Sequence, residues 1–127
     1  MEGIKLLNKL SEEIHEANKK KGFWDDERET GTLLMLITSE LGEALEADRK
    51  YKQCPVGRAN KTMSIESDKD FKPTFEAGVK DTFEDEIADT FIRLFDLCGA
   101  YDIDISSHIV AKLRYNSLRE YKHGKAY

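Results

Sequence analysis

The chain has 127 residues, 39% of them hydrophobic and 35% charged, with only two prolines. That length and balance fit one domain with a modest core and a helix-rich, charge-dense surface. A formal net charge of −5 without a long Lys/Arg block argues against nucleic acid or an anionic membrane as partner.

The first predicted helix carries Ile4, Leu7, Leu10, Ile14 and Ala17 at three- and four-residue spacing and runs to about Lys20. Lys19, Lys20 and Lys21, the longest basic run, are its solvated end. Gly22 breaks it, and "GFWDDE" follows as a loop. A second helix starts near Thr30 or Thr32, either of which suits a cap, and continues to about Lys50. Residues 52–74 lose periodicity, hold Pro55 and Pro73, and read as a loop insertion: a lid, a mobile segment or the cover for a short helix. A third helix begins near Asp81 or Thr82, where Thr82-x-x-Asp85 resembles a capping box, and ends near Cys98 with Gly99 as its stop. "YDIDIS" is a connector ending in cap residues, and the fourth helix covers about Ser106 to Tyr121. No stretch reads as a strand. The expected architecture is all-α, a single domain over residues 1–127 with four main helices in a bundle. Nothing approaches transmembrane length, the N-terminus lacks an apolar signal-peptide run, and Cys54 and Cys98 follow no metal or disulfide spacing. A cytoplasmic protein with a buried, reduced Cys98 is the expectation.

The stretch "SELGEALEADRK" poses the chemical question. At about 100° per residue, Leu33, Leu36, Ile37, Leu41, Ala44 and Ala47 share one broad face, and Glu40 falls inside it. Glu43 sits at the edge of that face, and Glu46 lies on the opposite, polar side. A carboxylate on a burying face needs compensation. A second pair, Glu86 and Asp89, has the same i, i+3 spacing within "EDEIADTFIRL". Here the apolar arc of Phe83, Ile87, Phe91, Leu94, Phe95 and Cys98 lies largely opposite, so a solvated face with an Asp89–Arg93 pair is the plain reading of that helix by itself. Two helices with two such acids each can nevertheless point four carboxylates at one another. Two charges about 4 Å apart repel by roughly 4 kcal/mol at an effective dielectric near 20. Hard oxygen donors without a Cys/His set call for Mg²⁺, with Mn²⁺ as the alternative, rather than zinc.

Glu40-x-x-Glu43 followed by Glu86-x-x-Asp89 resembles the ExxE…ExxD signature of the MazG-like all-α nucleoside triphosphate pyrophosphohydrolases. "KDTFEDEIADTFIRLFDLCG" is similar to the second half of that motif, "KLRYNSLREYKHGK" to its C-terminal K…N..R…HGK stretch, and "GFWDD" to the loop before its first acidic helix. The likeness spans most of the chain except residues 52–74, and the stretch between the acidic pairs is longer than is usual in that family. The resemblance implies hydrolysis of a nucleoside triphosphate to the monophosphate and pyrophosphate with Mg²⁺. It also implies that Glu40, Glu43, Glu86 and Asp89 are metal ligands and catalytic residues, and that the protein is a homodimer or homotetramer. One glutamate not fully engaged by metal would accept a proton from the attacking water.

Lys112, Asn116 and Arg119 are spaced i, i+4, i+7 and form one polar stripe, either solvated or fit for phosphate and sugar or base. The resemblance favours nucleotide contact, above all for Asn116 and Lys112. The tail residues Lys122, His123 and Lys125 suit a frayed end better than a phosphate site. Trp24, the sole tryptophan, is either a base-stacking aromatic, as the resemblance implies, or a plug at the bundle end. His15 has a claim by resemblance to base contact, against a plainer role as a hydrogen-bonded helix histidine.

Two rival functions are weighed. A di-iron carboxylate bundle needs Glu-x-x-His twice, and only Glu12-x-x-His15 supplies it, since His108 and His123 lack the glutamate. An acidic helical interaction module without catalysis needs only surface carboxylates. Phe83, Phe91, Ile92, Phe95 and Leu97 give the third helix a wider apolar arc than one side of a small bundle covers, which favours self-association.

Overall fold

A computed structural model describes residues 2–121. Lys122, His123 and Lys125 lie outside the described residues. A short 3-10 turn (Glu2–Lys5) leads into α1 (Leu6–Lys20), followed by α2 (Thr30–Arg49), α3 (Arg58–Met63), α4 (Asp68–Gly78), α5 (Phe83–Ala100) and α6 (Ile105–Ser117). The protein is all-helical, with no strand among the described residues. No helix among them is long and apolar enough to cross a membrane.

The helix ends follow local chemistry. After α1 the chain turns at Gly22, whose φ of +86° suits a residue without a Cβ. α2 starts at Thr30, but neither threonine caps it: Glu29 holds the N-cap position, with its carbonyl accepting from the Leu33 amide at 3.1 Å. α2 closes by paired bonds, Lys52 N–H to the Ala47 carbonyl and Tyr51 N–H to the Asp48 carbonyl, with Tyr51 in the left-handed region.

Residues 52–74, expected as a loop, hold α3 and the first half of α4. Ser67 caps α4 by accepting from the Asp70 amide, and Phe71 stacks on Phe75 one turn later with ring centroids 5.7 Å apart. Pro73 stands between them, inside the helix. It forfeits one backbone donor, and it masks the i, i+4 aromatic signal in the sequence.

The Thr82–Asp85 capping interaction is present in modified form. Thr82 Oγ1 accepts from the Asp85 amide, while the Asp85 carboxylate accepts from the Asp81 amide rather than from Thr82. Gly99 does not stop α5, which runs on to Ala100. The terminating left-handed residue is Asp102, and the Ile103 amide closes back on the Cys98 carbonyl. Gly99 is needed for a different reason: a Cβ there would lie 2.6 Å from the Ser11 carbonyl oxygen and 2.7 Å from the His15 Cβ. α6 ends at Ser117 rather than near Tyr121, its last turn tightening through three-residue bonds from Leu118 and Arg119.

Two compact units divide the chain, and the boundary falls within α5. Among the described residues, one unit comprises residues 2–27 and 95–121. In it α1 packs on α6, and Asn8 fastens the start of α6: its side chain donates to Asp104 Oδ1 at 2.8 Å and accepts from the Ser106 amide. Asp104, which also caps α6 by accepting from the Ser107 amide, is held down to a pKa of about 2 by these bonds. Cys98 is buried, and burial raises its thiol pKa.

The other unit comprises residues 28–94. Its buried residues include Leu33, Ile37, Ala44, Ala47 and Val79, together with the polar Thr62, Glu86 and Thr90. The chain after α2 is fastened to the start of α5 by a Phe83 amide to Lys52 carbonyl bond and a Cys54 amide to Glu84 carboxylate bond, each 2.7 Å. α3 and α4 pack against each other.

Gly99→Ala is expected to destabilise the protein by about 1–3 kcal/mol, because the added methyl meets backbone rather than a yielding side chain. Gly42→Ala, where a Cβ meets nothing within 4 Å, is expected to stabilise α2 by roughly 0.5–1 kcal/mol. Urea unfolding of the two variants beside the parent measures both signs.

Candidate metal centre

α2 brings Glu40 inward on the same face as the buried Leu33, Ile37, Ala44 and Ala47, as its position in the apolar arc requires. α5 behaves differently from its sequence pattern. Glu86 is buried at 8% exposure and Asp89 is half-buried, whereas Phe91 and Leu94 on the expected core side are exposed. The solvated-face reading of Glu86 is therefore corrected: Glu86 is turned inward, together with Cys98 of the apolar arc.

Three of the four acids meet. Ligand oxygens of Glu40, Glu86 and Asp89 all lie within 4.8 Å of one another. Glu43 is exposed and is not a member of this group. Arg93 does not take Asp89 as its ion-pair partner, as the i, i+4 spacing suggests. Its Nε donates to Glu40 Oε1 at 2.7 Å.

The electrostatics follow from this crowding. The Glu86 carboxyl is pushed up to about 7, first by burial, then by the charges of Asp89, Glu40, Asp81 and Asp85. Asp89 is raised by burial and by Asp85 and Glu40, with Arg93 pulling the other way. Carboxylates that resist ionisation beside one another are relieved by a cation. The donor set is all hard oxygen, from two helices, the ligand type that Mg²⁺ or Mn²⁺ would take.

The remaining candidates belong to the other unit. His15, Asn18 and Trp24 converge on Asp96, a buried carboxylate that the sequence reading did not single out. His15 Nδ1 lies 2.8 Å from Asp96 Oδ1, Asn18 Nδ2 donates to Oδ2 at 2.9 Å, and Trp24 Nε1 donates to both oxygens at 3.0 and 3.1 Å. The His15 and Trp24 rings meet edge-on with centroids 5.0 Å apart. The available signal was an acid seven residues after Asp89, two helical turns along the same face. Asn116 is half-buried, and its Oδ1 is buried without a hydrogen-bond partner among the described residues. Lys112 and Arg119 both lie against the Tyr115 ring, at 5.0 and 5.7 Å from its centroid. Arg119 is past the end of α6, so the expected three-residue stripe is helical only through Asn116.

Comparison of the chain with protein-family models, with curated proteins and with solved structures finds no match.

The metal-free protein is expected to lose stability as pH rises from about 4.5 to about 7. In that interval the unfolded chain has released the Glu86 proton and the folded chain retains it. Glu86→Gln is expected to flatten this slope, read from urea midpoints at about pH 5 and about pH 8 in chelator. A parent protein that gains stability over the interval, with Glu86→Gln no different, contradicts the assignment.

Proposed function

We propose that this protein is a Mg²⁺-dependent nucleotide pyrophosphohydrolase of the MazG-like all-α type, a four-helix bundle with an inserted α3–α4 segment. It hydrolyses a nucleoside or deoxynucleoside triphosphate to the monophosphate and pyrophosphate. The observation that carries the reading is the convergence of Glu40, Glu86 and Asp89 from two helices, at the positions where the motif resemblance calls for ligands.

Glu40, Glu86 and Asp89 hold the ion through their oxygens. A bound Mg²⁺ supplies neutralisation of the triphosphate and stabilisation of the charge that develops on the leaving pyrophosphate. A glutamate not fully engaged by the metal would take a proton from the attacking water. Asn116 offers a buried acceptor that lacks a partner among the described residues, which suits an N–H or O–H of the nucleotide. The motif resemblance alone assigns Lys112 and Arg119 to phosphate oxygens and Trp24 and His15 to the base.

The reaction is tested by pyrophosphate release from a panel of nucleoside and deoxynucleoside triphosphates with Mg²⁺ or Mn²⁺. Release from at least one is expected, abolished by EDTA and lowered about 10²-fold or more by Glu40→Gln. Absence of release across the panel, or release indifferent to EDTA, refutes the reading and favours the acidic interaction module.

Self-association belongs to the same proposal. Leu34, Met35, Leu41 and Leu45 on α2 and Phe91, Ile92 and Leu94 on α5 are all at least 40% exposed. Apolar faces of this extent are covered in a homodimer or homotetramer. Sedimentation at micromolar concentration is expected to give at least twice the 14.6 kDa chain mass. A single-chain mass contradicts the assembly.

A further inference from the structure

α5 places Arg93 one turn past Asp89, where it reaches across to α2. Its Nε sits 2.7 Å from Glu40 Oε1; the Glu40 side chain is 14% exposed and that of Arg93 is 40% exposed. A pair with one partner this exposed adds little to stability, generally below about 1 kcal/mol. Its chemistry is more informative. The Glu40 contact uses the Nε–H, one of five guanidinium donors. The other four are on the two terminal amino groups, whose planar fork matches two oxygens of a phosphate. Arg93 also sets a fixed positive charge against the carboxylates that would receive a divalent ion. A bare ion enters against that charge. An ion arriving on a polyphosphate brings the anionic oxygens that Arg93 can bind, so the same charge turns from opposing to attracting.

We propose that Arg93 is a substrate-binding residue that weakens the hold of Glu40, Glu86 and Asp89 on a bare divalent ion and strengthens it on an ion complexed with a polyphosphate. The metal is then taken up together with the substrate rather than ahead of it. This rests on the metal-dependent reading of the site given above. No covalent step is involved. Glu40 exchanges a guanidinium partner for a metal partner, and Arg93 exchanges a carboxylate for phosphate.

The test uses the full chain, Mn²⁺ as a spectroscopic ion, and inorganic tripolyphosphate as a probe independent of base and sugar. Mn²⁺ binding is followed by electron paramagnetic resonance with and without tripolyphosphate, for the parent, Arg93→Met and Arg93→Lys, with circular dichroism confirming the fold of each. For Arg93→Met, Mn²⁺ alone is expected to bind about tenfold more tightly, and Mn²⁺ with tripolyphosphate about tenfold more weakly, the scale typical of groups bonded to a metal ligand. Arg93→Lys keeps the charge and loses the fork. It is expected to bind Mn²⁺ alone as the parent does and to lose part of the tripolyphosphate gain. A merely structural Arg93 moves both affinities in the same direction or neither. An Arg93→Met protein with unchanged or weaker affinity for Mn²⁺ alone, or with the tripolyphosphate gain intact, overturns the proposal. If the parent releases no pyrophosphate from any triphosphate, the enzymatic reading falls, while the Mn²⁺ crossover still decides the role of Arg93. If the parent hydrolyses and the crossover is missing, only the role of Arg93 falls.

Discussion

Three carboxylates held within 4.8 Å of one another are the constraint to which the rest of this protein's chemistry answers. Like charges at that spacing repel, and partial burial removes the water that would screen them. The fold meets the problem in two ways. It keeps a proton on Glu86 up to about pH 7, and it sets the Arg93 guanidinium on Glu40. Both are substitutes for a cation, and neither engages all three acids. The divalent ion proposed above would engage all three through their oxygens.

α5 departs in part from its own hydrophobic pattern. Glu86 and Thr90 are buried and Asp89 half-buried, while Phe91, Ile92 and Leu94 are exposed. α1 shows a related inversion. Ser11 is buried and His15 and Asn18 are half-buried, while Leu6 and Leu10 are exposed. Hydrogen-bonded polar side chains thus share the interior with the apolar ones, Asp96 accepting from Asn18 and Trp24 and Asn8 bracing the start of α6. Buried polar groups of this kind add little net stability, but they specify one arrangement closely.

Much of the helix order was legible because periodicity, Gly22 and the run of lysines leave clear marks in α1, α2 and α5. Glu40 was legible for the same reason: an acid inside an apolar arc is visible on a helical projection. Glu86 was not, because its own helix presents an apolar face that a single-chain reading assigns to the core. Only its pairing with Glu40 across helices hinted otherwise. α4 was hidden by Pro73, which breaks the pattern that Phe71 and Phe75 would have announced. Gly99 looked like a helix stop, since a close approach to Ser11 and His15 leaves no trace in the sequence of its own helix. Asp96 escaped notice because its partners lie more than seventy positions away in the chain.

The lone indole has an optical consequence. Trp24 donates its N–H to a buried acid and lies edge-on to an imidazole, so all tryptophan emission from the protein originates at one hydrogen-bonded, partly desolvated spot. Its wavelength and yield therefore report the integrity of the Asp96 cluster without any introduced label.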